Sequence, residues 1–563
     1  MISVSGKNWV ERKVNKNSVE KIKQDYKFNE ILSKLIVSRN FDEDEINNIN
    51  NDLKIINIFK NNNDFKEASK ILINSIKNNE KICILGDYDA DGTAATSLLV
   101  RYFNYIGQPH FYYIPDRVKD GYGATKKLFQ KLILNQPKLV IMIDCGSTSN
   151  EAIDFLNQNK IKSIIIDHHE INKPYPVSNV IINPKKNITR NEESYMCATS
   201  LTYFFLDYLI KNMGSDYKIN NYLILVLLAT VCDVMPLRKI NKIIASNVIK
   251  KFKINDNAVF KFIFEQLSLN KKLSIDDLGF LIGPIINSGG RLGFSNYGVE
   301  LLTTDNLKLI KKRSIELIKL NEKRKLLEQN ILDQIDYEKI SKNNNNVIIY
   351  YNANLNEGLI GIIAARLKDY FNKPSIVITK SNNILKASAR STSNYNIGNL
   401  IKLLIDKKII ENGGGHNMAA GFSIKKNKLK RLKEFIQNDY SYKILNSNLS
   451  YYESEVSASI INIKFMDEIN KLGPFGNHNF MPIFMIKNVK IIKSSIVNKK
   501  HISAIVKPNI GSSFKSICFN CVNTLLGNYL LSYKKHIDII GEINENIWNN
   551  KKSVQLNIKD LIL

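Results

Sequence analysis

The sequence predicts an α/β protein: a parallel-sheet domain, a long connecting helix, a second α/β domain and a small C-terminal β-barrel. Three observations carry that expectation. From about residue 80, short apolar runs alternate with helical stretches, the pattern of a parallel sheet with crossover helices. From Asp305 to about Ile340 there is no Gly or Pro, and apolar residues recur at helical spacing. From Ser450 onward, short strands alternate with turns and helix patterning is weak, as in a small barrel.

A chain of 563 residues is too long for one core, so several domains are expected. Residues 1–79 read as a helical lead-in and 80–302 as the first α/β domain. The connecting helix falls within 303–342, the second α/β domain within 343–445, and the barrel within 446–563. In the first α/β domain the strand candidates are Lys81–Leu85, Leu139–Ile143 and Ser163–Ile166. Tyr222–Cys232 is the most apolar segment, but it is far shorter than the ~20 residues a membrane span needs, so it reads as a buried helix. The connecting helix carries Leu309, Ile310, Leu317, Leu320, Leu327, Ile331 and Ile335 on one pattern, with Asp305 as its N-cap. At the standard rise it is about 50 Å long. The Asn run 343–346 marks a boundary, and strands are expected near Val347–Tyr351 and Ser375–Thr379. No internal repeat is present.

Apolar residues make up 44%, enough for sizeable cores. The formal charge is +27, from 80 Lys and Arg against 53 Asp and Glu, a field that attracts polyanions. The chain is also rich in Lys, Asn and Ile, so part of that charge reflects coding bias and only part argues for nucleic acid. Four of the six cysteines (Cys83, Cys145, Cys197 and Cys232) lie in or beside apolar runs and read as core residues. Cys518 and Cys521 form a lone CxxC, too little for zinc. The N-terminal stretch lacks the apolar core of a signal peptide, and the reading is a reducing, cytoplasmic setting.

The most informative stretch is Gly86-Asp87-Tyr88-Asp89-Ala90-Asp91-Gly92. Carboxylates at i, i+2 and i+4 of an extended segment would point to one side. They repel one another unless cations neutralise them, which makes a metal site the economical reading. An EF-hand is excluded: with Asp87 as position 1, position 12 is Leu98 rather than Glu, and an apolar strand precedes the motif. Two further strands end in similar chemistry, one in Asp144-Cys145-Gly146 and one in Asp167-His168-His169. Functional groups of parallel sheets collect at the carboxyl ends of strands, so these can converge. Asp233, just after the buried helix, is a fourth element. Oxygen and imidazole ligands without thiolates suit Mg²⁺ or Mn²⁺. Two such ions sharing a carboxylate serve phosphoester or phosphoanhydride hydrolysis.

The Asp-His-His triplet, with GDYDADG and the Asp144 and Asp233 elements, resembles the DHH phosphoesterase superfamily. Glu357-Gly358-Leu359-Ile360-Gly361, Lys386-Ala387-Ser388-Ala389-Arg390-Ser391 and Gly413-Gly414-Gly415-His416 with Ala419-Ala420-Gly421 resemble its DHH-associated domain. Further motifs are similar to the bacterial RecJ family. These are Asp120-Gly121-Tyr122-Gly123, Gly283-Pro284, Asn287, Gly290-Arg291-Leu292-Gly293, Pro474-Phe475-Gly476, Trp548-Asn549 and Gln555-Leu556. They occur in the expected order over nearly the whole chain.

The resemblance implies a metal-dependent 5′-to-3′ exonuclease on single-stranded DNA, releasing 5′-mononucleotides by two-metal catalysis in DNA recombination and repair. Its cofactors would be two divalent cations, Mn²⁺ or Mg²⁺. Carried onto matching positions, Asp87, Asp89 and Asp91 would hold the two metals, with Asp144 bridging them and His168 and Asp233 completing the second ion's shell. His169 would contact the scissile phosphate or orient the nucleophile, so His169, Asp144 and Asp87 are the catalytic candidates. Asn287, Arg291, Arg366, Ser388, Arg390, Gly414, Gly415 and His416 are the nucleic-acid candidates, since guanidinium forks match phosphate and glycine amides can approach an anion. The barrel is expected to be an OB-fold. A monomer is expected, with single-stranded DNA as partner, a single-strand-binding protein and a helicase as further partners, and no membrane.

The chain departs from the family pattern at Asn356, where relatives commonly carry His, at Cys197-Ala198-Thr199-Ser200, which lacks the usual glycine, and at Ser391-Thr392-Ser393-Asn394-Tyr395. No domain is expected beyond the barrel. Two alternatives stay open. One is a superfamily hydrolase of short oligonucleotides, cyclic dinucleotides or pyrophosphate, which needs neither barrel nor connector. The other is a non-catalytic nucleic-acid-binding scaffold, against which every ligand position here is filled.

Overall fold

The computed structural model describes residues 3–51, 54–116, 119–121, 123–186, 192–342, 346–381, 383–392, 395–440, 449–509, 511–533, 535–548 and 551–563. Of the motifs above, Tyr122, Ser393, Asn394 and Asn549 lie outside the described residues, as do residues 343–345 of the Asn run. Two compact units emerge, and the chain passes between them more than once: Met1–Lys54, Leu237–Ile243 and Leu445–Leu563 form one, Ile55–Pro236 and Ile244–Ile444 the other.

In the larger unit, a five-stranded parallel sheet runs in the order His110–Tyr113, Ile82–Leu85, Leu139–Ile143, Lys162–Ile166, Val180–Ile182. The central strands Ile82–Leu85 and Leu139–Ile143 are apolar and buried at every position. Strands covered on both faces read as continuous apolar runs, which is why the sequence exposed them. The helix Ala90–Ile106 follows the first strand and stops at Gly107, whose φ of +68° is a left-handed conformation that suits glycine. The apolar helix Leu223–Cys232 is buried as expected.

The connector differs from expectation. The helix spans Leu307–Asp333, 27 residues or about 40 Å, and a separate short helix Tyr337–Lys342 follows. Its cap is Asn306, whose side chain accepts from the Lys308 and Leu309 amides. Asp305 is instead drawn to Arg101 at 3.0 Å.

The second sheet of the larger unit orders its strands Asn412–Gly415, Ala419–Ile424, Ile384–Arg390, Ser375–Ser381, Ile348–Tyr351. All its pairs are antiparallel except the last, so this region is mixed α/β. Helix Ile360–Phe371 packs on one face around Ile363, Ala364 and Leu367, and Ile397–Asp406 lies over another core with Leu400 and Leu404.

In the smaller unit, Ile483–Val497, His501–Pro508, Phe514–Cys518, Lys551–Ile562 and Ile537–Trp548 pair in succession. The last strand pairs back onto the first, closing a five-stranded barrel. The expected lead-in is divided. Phe28, Leu32, Leu35, Ile36, Phe41 and Ile46 complete the barrel's core, and Asn8–Glu11 pairs with Leu449–Tyr452. The helix Asn63–Lys77 belongs to the larger unit, where Phe65 packs edge-on against Phe205. Their apolar faces decide this, because neither part can bury its stripe alone. All six cysteines are free thiols. No helix among the described residues is long and apolar enough to cross a membrane.

Candidate metal centre and cleft

Every carboxylate and imidazole of the cluster except Asp91, which sits at the start of the helix Ala90–Ile106, follows the carboxyl end of a strand or helix. Asp87 and Asp89 follow Ile82–Leu85, Asp144 follows Leu139–Ile143, and His168 and His169 follow Lys162–Ile166. Asp233 caps the carboxyl end of Leu223–Cys232.

The GDYDADG stretch is not extended, which corrects the expectation. Asp89 is the N-cap of Ala90–Ile106, its Oδ1 accepting from the Asp91 and Gly92 amides at 3.0 Å, and Asp91 lies in the first helical turn. Helix initiation wins because those amides would otherwise lack partners. A Cβ at Gly92 would come within 2.6 Å of the Asp87 backbone nitrogen and oxygen, so this turn closes only around glycine. The Asp91 carboxylate is gripped from behind by the start of another helix: Ala198 N and Thr199 N donate at 2.8 Å and Thr199 Oγ1 at 2.6 Å. The variant segment Cys197–Ser200 therefore holds Asp91 through backbone amides and one hydroxyl.

Asp144 is the centre of the cluster. It takes φ +60°, an uncommon conformation for a non-glycine residue and one that marks strained functional positions. Its Oδ1 is buried, has no hydrogen-bond partner, and lies 3.3 Å from His168 Nε2 and 3.7 Å from His169 Nδ1. His168 Nε2 is also 3.5 Å from Asp233 and 3.7 Å from Asp91. Among the described residues, three sets of potential ligand atoms each fall within 4.8 Å: Asp87, Asp89 and Asp144; Asp91, His168 and Asp233; Asp144, His168 and His169. Asp144 joins the first to the third, and His168 the second to the third.

Burial, and after it the neighbouring carboxylates, hold Asp144 and Asp233 well above the usual carboxylate range. The same causes raise Asp89. Acids packed this way call for cations. Burial and the adjacent His169 push His168 down to about 4, leaving a neutral imidazole suited to ligation. Burial would also depress His169, but the Asp167 carboxylate, 2.8 Å from Nδ1, outweighs it and holds His169 up at about 9. Asp167 is thus an orienting residue: it accepts from the His168 and His169 amides, from the His169 ring and from Ser147 N. The nearby thiols stay protonated, with Cys145 and Cys197 raised first by burial and then by the carboxylates. Buried carboxylates, one of them with an oxygen that accepts no hydrogen bond, and one neutral imidazole fit hard divalent cations.

The remaining candidates fall into two groups. Arg291 Nη1 donates to the Gly358 carbonyl at 3.1 Å, and a Cβ on Gly358 would strike the Arg291 backbone. Arg390 Nη1 donates to Ser388 Oγ at 3.2 Å, and a Cβ on Gly361 would meet both side chains. These contacts join motifs remote in sequence, and Asn356 supports them by accepting from the Gly358 amide at 2.8 Å. Asn287, on the helix ending at Arg291, has a buried Oδ1 with no hydrogen-bond partner. In the second group, Gly414 and Gly415 lie exposed on an edge strand, and the His416 ring stacks on His169 at 6.3 Å and 19°. Arg366 stands apart, its Nε bound to Glu328 of the connecting helix at 2.7 Å. Sequence reasoning missed Ser147, Asn183 and Glu328, single polar residues in no motif, and read Thr199 only as part of a segment that departs from the family pattern.

Family models match three stretches of the chain in order: the DHH family N-terminal domain over residues 81–230, the DHHA1 domain over 344–441, and the RecJ OB domain over 452–560. The chain is 26% identical to the single-stranded-DNA-specific exonuclease RecJ of Bacillus subtilis, with 98% of this chain and 70% of that protein covered. To the Escherichia coli protein of the same name it is 25% identical, over 88% of this chain and 90% of the relative. Among solved structures, Thermus thermophilus RecJ in complex with Mn²⁺ matches with a TM-score of 0.81 at 20% identity, covering 98% of this chain and 78% of that one. The same protein with Mg²⁺ matches with a TM-score of 0.75 at 18% identity, covering 98% and 77%. These likenesses establish the fold.

Proposed function

The chain belongs to the DHH family, and from that premise we propose that it is a metal-dependent exonuclease hydrolysing phosphodiester bonds in single-stranded DNA. The observation that carries the reading is that ligand atoms from four separated stretches of chain meet in sets linked through Asp144 and His168. Asp87, Asp89 and Asp144 would hold one Mn²⁺ or Mg²⁺, and Asp91, His168 and Asp233 the other, with Asp144 between. What two such cations supply is Lewis acidity toward the phosphoryl oxygens and the attacking water.

The chain's own groups have distinct duties. Thr199 and the amides of Ala198 and Thr199 keep the Asp91 carboxylate aimed. Asp167 keeps His169 cationic and fixed, so its ring can donate to an oxygen of the scissile phosphate. Arg291, Ser388, Arg390 and the exposed glycine edge at 414–415 would take neighbouring phosphates, and the barrel would hold the strand by stacking and charge. Support for the substrate comes from the relatives' names and from the OB domain, which a small-substrate hydrolase does not need. By the same resemblance, polarity is 5′ to 3′, 5′-mononucleotides are released, the setting is recombination and repair, and a single-strand-binding protein and a helicase are the partners.

Digestion of single strands labelled at either end, with Mn²⁺ and with chelator, tests the proposal. Metal-dependent release of mononucleotides from the 5′ end of single strands is expected, with blunt duplex resistant. Equal rates on duplex and single strands would sink it.

A further inference from the structure

We infer that Lys185 is a phosphate-binding residue beside the metal centre, and that Glu170 occupies its anion position when no strand is bound. The inference rests on the single-strand reading above.

Lys185 lies just past the strand Val180–Ile182, and its place is set by Asn183. The Asn183 amide nitrogen donates to the His169 carbonyl at 2.9 Å and to Ser147 Oγ at 2.8 Å, while its oxygen accepts from Lys185 N at 2.9 Å. One buried side chain thus ties the backbone of Lys185 to that of His169. At the other end of the side chain, Lys185 Nζ is 3.2 Å from Glu170 Oε1. The same Oε1 is 3.5 Å from His416 Nδ1, and the His416 ring stacks on His169. A carboxylate oxygen therefore sits between an ammonium and an imidazole, next to the residue that faces the scissile phosphate.

Glu170 belongs to none of the three ligand sets, so its carboxylate is not needed for a cation. The two side chains are 28% and 55% exposed, and an ion pair that open adds little to stability. What the pair does have is a replaceable anion at phosphate-binding distance from two donors. A phosphodiester oxygen can displace Glu170, which swings to solvent, and Lys185 then grips the backbone as a point charge. Glu170 thereby opposes polyanion entry and Lys185 favours it.

The test measures binding of the full chain to a fluorescent oligo(dT) by anisotropy, with chelator so that nothing is cut, across a salt series. Lys185→Ala should weaken binding about 3- to 10-fold and flatten the slope of log K against log salt by about 0.7, one single-strand phosphate contact. Glu170→Gln should move the other way and tighten binding. Lys185→Arg should keep most of the affinity, and Lys70→Ala, on an outward helix face, should change nothing. If Lys185→Ala leaves affinity and slope unchanged, or Glu170→Gln weakens binding as well, the pair is only a surface brace and the inference is overturned. A wild-type chain that fails to bind oligo(dT) at all sinks the single-strand reading, and this inference with it, without recourse to any variant.

Discussion

Asp144 combines a left-handed backbone, full burial and an oxygen that accepts no hydrogen bond. Each is a cost that a divalent cation would offset. Without metal, the carboxylates of Asp89, Asp144 and Asp233 are raised. A raised carboxylate contributes stability that is full below its unfolded pKa and is lost as pH rises through the folded value, so the metal-free centre weighs against folding near neutrality. Mn²⁺ should therefore raise Tm near neutral pH, and the rise should shrink as protons compete on acidification. Asp144→Asn should raise the metal-free Tm, remove most of the Mn²⁺ response and slow cleavage more than about 100-fold. Scanning fluorimetry with and without Mn²⁺ reads the first two effects; an undiminished Mn²⁺ response would displace Asp144 from its proposed position. At this scale the sequence exposed the residue types, since acids and imidazoles after apolar strands are visible by eye. It did not expose that Asp89 caps a helix or that Asp167 orients His169 rather than joining the ligand sets, because both duties depend on backbone amides.

The connecting helix shows how an element's limits escape its pattern. Apolar spacing announced the helix, but Asp305 and Asn306 are both good caps on paper. Arg101 decides between them: held to the Leu302 carbonyl through Nε, it takes Asp305 through Nη1, and Asn306 is left to cap. Asn306→Ala should then cost about 1 kcal/mol. Asp305→Ala, which loses a pair whose carboxylate side chain is 89% exposed, should cost less, within about 0–1 kcal/mol. Urea unfolding of the two variants checks the order, and a larger loss for Asp305→Ala would reverse the assignment. Farther along, buried Arg324 donates to both Asn321 and Glu328, and Glu328 also accepts from Arg366. That network makes Arg366 part of the connector's packing as well as a candidate phosphate contact.

On the scale of the whole molecule, the first and last parts of the chain share one core. Phe28, Leu32, Leu35 and Ile36 pack with Phe484, Ile539 and Leu561, and the Trp9 indole and Ser3 hydroxyl both donate to Asp560. A fragment of residues 445–563 should therefore fail to fold alone, whereas co-expression with residues 1–54 should recover soluble material. Circular dichroism and amide exchange distinguish the outcomes, and a cooperative, well-protected isolated barrel would refute the shared core. The lead-in gave no hint of this, since amphipathic helices advertise an apolar stripe but not the surface that covers it.

By itself, the sequence determined the class of fold, the strands buried on both faces and the acids and imidazoles at their ends. Those follow from local periodicity and from the chemistry of side chains, which neighbours along the chain reveal. Tertiary structure alone decided which of those side chains meet, which amides hold them, and that Asn183 sets Lys185 against Glu170 beside His169. Such contacts join residues remote in sequence, and burial together with directional hydrogen bonding selects them only once the strands have taken their register.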